Sequence, residues 1–259
     1  MILRRLSQSL KAQNWTAIVI EFVLLVSGVF LGIQVSNWNQ ERATQKQAAE
    51  FTRRLKEDLR VVAWRFNAVE LYYPDVLANA ERTLAALEGK SALSNEALLI
   101  AAYRATQYGD FVQSHATYDE LRSTGNVGLI TDPELSKMAA EVYSTPLYEN
   151  LKNEGINSPY RVAFRMRVPP DVQAAIGSKC GDRLSIVNDY ESIKNPLDYA
   201  CTTGLSQQEI DSAATSLSSD ATLVPLLRLR ITNISSAASL SILSDDVLAR
   251  MRAESKEKK

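Results

Sequence analysis

Histidine occurs once and cysteine twice in this chain of 259 residues. Zinc sites of usual composition need clusters of those residue types, so the shortage excludes them. Glycine and proline are also scarce, at 10 and 8, which argues against low-complexity disorder and turn-rich β architectures. Charge of one sign is missing too. With 29 basic and 30 acidic residues the formal net charge is −1, so no basic field for nucleic acid is expected. The chain holds no Walker loop, dinucleotide fingerprint or nucleophile elbow. A carboxylate-only calcium site stays open on composition, but no EF-hand loop is present. No cofactor, resident metal or nucleic-acid partner is expected.

What is abundant is alanine, leucine, serine and charge, a mixture that suits helices. The expected fold class is mainly α: one N-terminal transmembrane helix continuing into a multi-helix bundle, with one short strand considered at 160–168. The domain plan is a basic N-terminus at 1–14, a span at 15–38, a helical domain at 39–254 and a polar tail at 255–259. About 220 residues outside the anchor and its flanks are enough to bury a core.

The run from Trp15 to Val35 is the one long apolar stretch. At 1.5 Å per residue it covers about 31 Å, one hydrocarbon thickness. Trp15 and Trp38 stand at its ends, where amphipathic rings prefer the membrane interface. The run is longer than a secretory h-region and lacks a clear small-residue cleavage site. The competing reading is the buried core helix of a soluble protein.

Arg4, Arg5 and Lys11 precede the span without an acidic residue. The other flank mixes Arg42, Lys46, Arg53 and Arg54 with Glu41 and Glu50. A compact basic N-terminus favours an inside N-terminus and an exported domain. Cys180 and Cys201 lean the same way as a disulfide candidate. Such a bond would add about 3 kcal/mol by loop-closure entropy and requires an oxidising compartment. The alternative is two thiols in a cytosolic domain. The expected location is a bacterial inner membrane with the main domain periplasmic.

Phe51, Leu55, Leu59, Val62, Phe66 and Val69 follow steps of four and three, an amphipathic helical stripe. The span is therefore expected to run on as one long helix, breaking near Pro74. A second helix is read at 75–88, stopping at Gly89. A third is capped by Ser94 or Asn95 and ends near Gly109, and a fourth runs from about Ser114 to Gly125. Thr131-Asp132-Pro133 opens a fifth, with an N-cap residue and proline at N1. Tyr160, Val162, Phe164, Met166 and Val168 alternate with Arg161, Ala163, Arg165 and Arg167, a period-two pattern that reads as a short strand or as an irregular basic segment before Pro169-Pro170. The three arginines read either as an anionic contact or as a solvated face with snorkelling stems. Residues 177–204 read as a loop holding both cysteines. Ser206 and Glu209 fit a capping box. A last helix is expected from about Ala221 past Arg250.

The single histidine, His115, neighbours Tyr118 and Asp119 at helical spacing, with Glu120 next in line. These residues are the weak candidates for a pocket with acid–base capacity; the plainer reading of His115 is capping or packing. The polar exceptions inside the apolar run carry more. At about 100° per residue, Glu21, Gly28, Gly32 and Asn39 share one helix face. An ionised carboxylate in the apolar region costs several kcal/mol unless it snorkels, protonates or finds a partner. Two glycines four apart let another backbone approach closely. This face is the candidate surface for helix association, against the alternative of a snorkelling Glu21 and incidental glycines.

The run Glu21-Phe22-Val23-Leu24-Leu25-Val26, Gly28, Gly32-Ile33-Gln34 and Asn37-Trp38-Asn39 resembles the N-terminal signature of an uncharacterised bacterial family of single-span membrane proteins. Thr117-Tyr118-Asp119-Glu120-Leu121, with Ser123, Gly125, Leu129-Ile130 and Leu135, is similar to that family's second motif. The resemblance covers about 40 residues; it implies a helical domain on one anchor and no activity. The functional expectation is a membrane-anchored helical binding or scaffolding protein, not an enzyme. Its partners would be the lipid bilayer and another membrane helix, itself or a different protein. A sensor or accessory role through a partner membrane protein is the second reading, with an unknown small-molecule ligand, and an enzyme built around His115 is the third.

Overall fold

The computed structural model describes residues 15–111 and 115–239 and, beyond these, Val247, Arg250 and Ala253. The basic segment 1–14, Ser114, the tail 255–259 and most of the expected last helix beyond Ser239 lie outside the described residues. Among the described residues there are nine α-helices, one 3-10 turn at Val127–Leu129 and no strand. The helices are α1 Trp15–Leu87, α2 Asn95–Ala105, α3 Ala116–Ser123, α4 Pro133–Ser144, α5 Leu147–Ile156, α6 Pro159–Arg167, α7 Pro170–Cys180, α8 Gln207–Ser218 and α9 Leu223–Ser239. The mainly α reading holds.

The chain divides into two compact units, Met1–Arg53 with Gly128–Thr131, and Arg54–Val127 with Asp132–Lys259. In the first, every residue of α1 from Val19 to Gln47 is exposed. Among the described residues of this unit, Phe51 and Ile130 are the buried apolar ones. Arg42 stacks on Trp38, its guanidinium carbon 3.8 Å from the ring centroid.

The second unit is a helical bundle whose core gathers Leu99, Ala102, Tyr160, Phe164, Ile176, Leu217 and Leu227. In it α2 packs on α6, α7 and α8, while α9 packs on α5 and α6. The stripe expected on α1 is real: Leu55, Leu59, Val62, Phe66 and Val69 are all buried, as is Phe51.

The expected break at Pro74 does not occur; α1 passes through it to Leu87. Proline inside a helix removes one hydrogen bond and crowds the preceding turn, at about 3 kcal/mol. Here packing on both sides outweighs that cost. Tyr73, Val76 and Ala80 are buried, and the Asp75 carboxylate accepts from the backbone N–H groups of Leu197 and Asp198, each at 3.0 Å. The helix ends where glycine punctuation places it. Gly89 adopts φ +70°, and the Lys90 N–H returns to the Ala85 carbonyl at 2.8 Å, the left-handed closure that favours glycine.

Residues 160–168 are not a strand; α6 is helical from Pro159 to Arg167. Ser158 caps it by accepting from the Arg161 N–H at 3.4 Å, and proline occupies the first turn. Tyr160, Ala163 and Phe164 are buried, whereas Val162 and Met166 are exposed at 49% and 74%. Burial thus follows the i, i+3, i+4 spacing of a helix, and the period-two appearance came from apolar residues left in solvent. The arginines divide in the same way: Arg161 donates to the Thr106 carbonyl at 2.7 Å and Arg167 pairs with Asp220 at 2.7 Å.

The end of α2 is also earlier than expected, at Ala105 rather than near Gly109. Cationic side chains take the carbonyls there. Arg230 donates to Ala105 and Gln107 at 3.2 and 2.6 Å, and Arg161 to Thr106. Helix C-termini attract such groups because their last carbonyls lack internal partners. Asp132 and the Ser206–Glu209 capping box serve as N-caps, in agreement with the sequence. Helix α7 runs further than expected, into the segment read as loop from Gly177, and stops at Cys180.

Candidate functional site

Among the described residues, one helix is long and apolar enough to cross a membrane, the N-terminal α1. Its apolar window is entirely unburied, as a lipid-facing surface would be. Glu21, Gly28, Gly32 and Asn39 all lie on exposed helix here. A side chain added at Gly28 or Gly32 would meet nothing within 4 Å. Trp15 and Trp38 are exposed at 78% and 53%.

The His115 cluster is only partly assembled. His115 precedes α3 and makes no side-chain cap hydrogen bond. Its ring lies 5.2 Å from that of Tyr143, and both line a cavity of about 570 Å³ with Pro146, Tyr148 and Lys152. Tyr118 stands behind it, stacked on Tyr143 at 4.9 Å, and Asp119 is exposed outside its lining. Glu120 is engaged with Arg54 at 2.6 Å. Burial, with Asp58 and Asp119 adding to it, pushes the Tyr143 hydroxyl well above its ordinary value. A phenol held so firmly protonated is a poor general base. The arrangement supplies a histidine beside an aromatic wall and leaves Asp119 and Glu120 outside the cavity, whose lining carboxylates are Asp110 and Glu149.

Cys180 and Cys201 are bonded, with Cα atoms 5.5 Å apart. The bond ties the start of the 181–206 loop to its later part, and Arg104 braces it from inside the bundle. Arg104, buried at 4% exposure, donates to the Cys180 carbonyl at 2.9 Å and to the Tyr199 carbonyl at 3.1 Å. The loop is fastened to α1 as well. Trp64 Nε1 donates to the Asp189 carbonyl at 3.0 Å, and the Tyr72 hydroxyl to Asp182 at 2.8 Å.

Between these fastenings lies a cleft of about 610 Å³, the site that sequence reasoning missed. Helix α1 contributes Trp64, Arg65, Ala68 and Tyr72; residues 108–111 and the loop supply the other walls. Tyr72 and Phe111 meet edge to face at 5.9 Å. Each acidic group has a donor: Asp110 pairs with Lys152 at 2.6 Å, and Asp182 accepts from Tyr72. Burial, with Asp182 adding to it, raises the Tyr72 hydroxyl well above its ordinary value, so it stays a donor. Crowding by protein likewise raises the Asp182 carboxyl, although the residue remains open to solvent on one side. Arg183 lies over the Tyr199 ring at 4.1 Å. Arg65 differs, because its buried Nη1 has no hydrogen-bond partner.

No signal in the sequence marked this cleft. Its lining comes from three segments more than thirty residues apart, and Trp64, Arg65 and Ala68 sit within a stretch that reads as ordinary amphipathic helix. The disulfide pair was the nearest clue, since it encloses much of the loop. Among the described residues no group of histidine, cysteine and carboxylate side chains is arranged to hold a metal ion. Compared with protein families, curated proteins and solved structures, the chain gives no match in any of the three.

Proposed function

We propose that this chain is a membrane-anchored helical binding protein that pairs with another membrane helix through the Glu21, Gly28, Gly32 and Asn39 face of its span. The observation that carries the reading is the wholly exposed apolar window of α1, interrupted on one face by an ionisable group and two glycines with open space around them. Hydrocarbon penalises an unpartnered carboxylate, and glycines allow close backbone packing that compensates for the missing hydrophobic drive between helices. The basic N-terminus supports an inside orientation. The Cys180–Cys201 bond supports an exported, oxidising location for the bundle, in keeping with a bacterial inner-membrane protein whose main domain is periplasmic. The family resemblance of the N-terminal run points to the same class of single-span proteins.

The test replaces Gly28 with isoleucine and Glu21 with leucine in the full chain. Native electrophoresis of mildly solubilised membranes should then show the complex lost while the protein stays membrane-bound. An unchanged complex would remove the pairing proposal.

A second reading is favoured by the cleft: an accessory subunit whose exported domain recognises a small molecule. Helix α1 supplies both the span and four residues of that cleft's lining.

A further inference from the structure

We infer that the cavity beside His115 binds a small quaternary ammonium ion, its charge balanced by Glu149 and its methyl groups set against the rings of His115 and Phe111. Two segments of the bundle supply this cavity: Asp110, Phe111 and His115 come from one, and Tyr143, Glu149 and Lys152, on α4 and α5, from the other. Its volume, about 570 Å³, falls in the range of small-molecule sites. The groups assigned to the ligand are open to it, since Glu149 is exposed and both His115 and Phe111 are half-buried.

Charge selects a cation. Among the described lining residues, Asp110 and Glu149 stand against Lys152, which leaves one negative charge with His115 neutral. Lys152 is taken up by Asp110 at 2.6 Å. The Glu149 carboxylate makes no hydrogen bond or ion pair among the described residues, so it is the acidic group left for a ligand. An anion would be repelled by this excess, and an uncharged ligand would make no use of it. The rings select the kind of cation. His115 ends a row of aromatic side chains, 5.2 Å from Tyr143, which itself stacks on Tyr118 at 4.9 Å. Phe111 adds a further ring to the lining. Aromatic faces attract cations through their quadrupole, and quaternary ammonium groups, with charge spread over methyl surface, use that attraction most fully. A divalent metal ion would instead need several ligating side chains, and no such group is arranged among the described residues.

This inference goes beyond the accessory reading, which rests on the neighbouring cleft. It is also scored separately from helix pairing, because binding is measured on purified protein. The experiment titrates the full chain, in a maltoside detergent, by calorimetry with choline, its uncharged isostere 3,3-dimethylbutanol, glycine betaine and potassium ion. Choline should bind at or below about 1 mM. The isostere should bind at least about tenfold more weakly, as should betaine, whose carboxylate meets the same negative excess, and potassium. Glu149→Gln, an exposed and conservative change that leaves the fold intact, should weaken choline about fivefold or more. His115→Leu and Phe111→Leu should each weaken it about threefold or more. Glu81→Gln, on α1 outside the cavity, should leave binding unchanged. The inference is overturned if choline does not bind up to about 10 mM, if the isostere, betaine or potassium binds as tightly, or if Glu149→Gln binds choline as the unaltered chain does.

Discussion

Arg230 is wholly buried, and its guanidinium is spent on backbone: it donates to the carbonyls of Ala105 and Gln107 and pairs with Glu154. A buried ion pair is weak evidence of net stability, but breaking one by removing a partner leaves an uncompensated charge. Burial pushes the Glu154 carboxyl up, and Arg230 draws it back toward ionisation. Arg230→Ala should therefore cost about 3–5 kcal/mol, measured as a lower urea midpoint with an unchanged slope. Glu96 behaves in the opposite sense. Hydrogen bonds from the Thr203 hydroxyl and backbone N–H, at 2.6 and 2.7 Å, hold its carboxyl below the ordinary 4.5. A depressed folded pKa means that the unfolded chain takes up this proton first as pH falls. The stabilisation is complete above 4.5 and is lost as pH drops through the folded value. Acid unfolding followed by circular dichroism should show a shallower acid limb for Glu96→Gln than for the unaltered chain. Neither role was legible in the sequence. Both depend on partners far along the chain, Glu154 for Arg230 and Thr203 for Glu96.

At the scale of elements, what the sequence revealed and what it hid have separate physical causes. Caps were legible because they depend on neighbours in the chain: Asp132 before Pro133, Ser206 with Glu209, and Gly89 after Leu87. The α1 stripe was legible because six apolar residues keep one period. Pro74 misled because local cost was weighed without the Asp75 contacts that hold the following turn. Residues 160–168 misled because exposed Val162 and Met166 imitated alternation. The cleft was hidden because its walls converge only after the loop is fastened by Cys180–Cys201, Trp64 and Tyr72. That fastening makes its own prediction. The bond spans 21 residues, a loop whose closure contributes about 3 kcal/mol to stability. Thermal unfolding in dithiothreitol, or of Cys201→Ser, should show a loss near that size. A negligible loss would mean that the loop is held by its other contacts alone.

For the molecule as a whole, the candidate span and the helical bundle carry different parts of the proposed role: attachment and pairing through the apolar end of α1, recognition in the bundle. The feature that stood out in the sequence, polar residues inside an apolar run, keeps its place as the proposed pairing surface, while the structure adds a cleft beyond its reach. Pairing is the central claim, and photo-crosslinking along the span tests it most directly. A photoreactive amino acid placed singly at positions 28 and 32, and at positions 26 and 30 on the opposite face, is irradiated in intact membranes. The account predicts a discrete crosslinked product from 28 and 32 and little from 26 and 30. Equal crosslinking from both faces, or none from either, would contradict it.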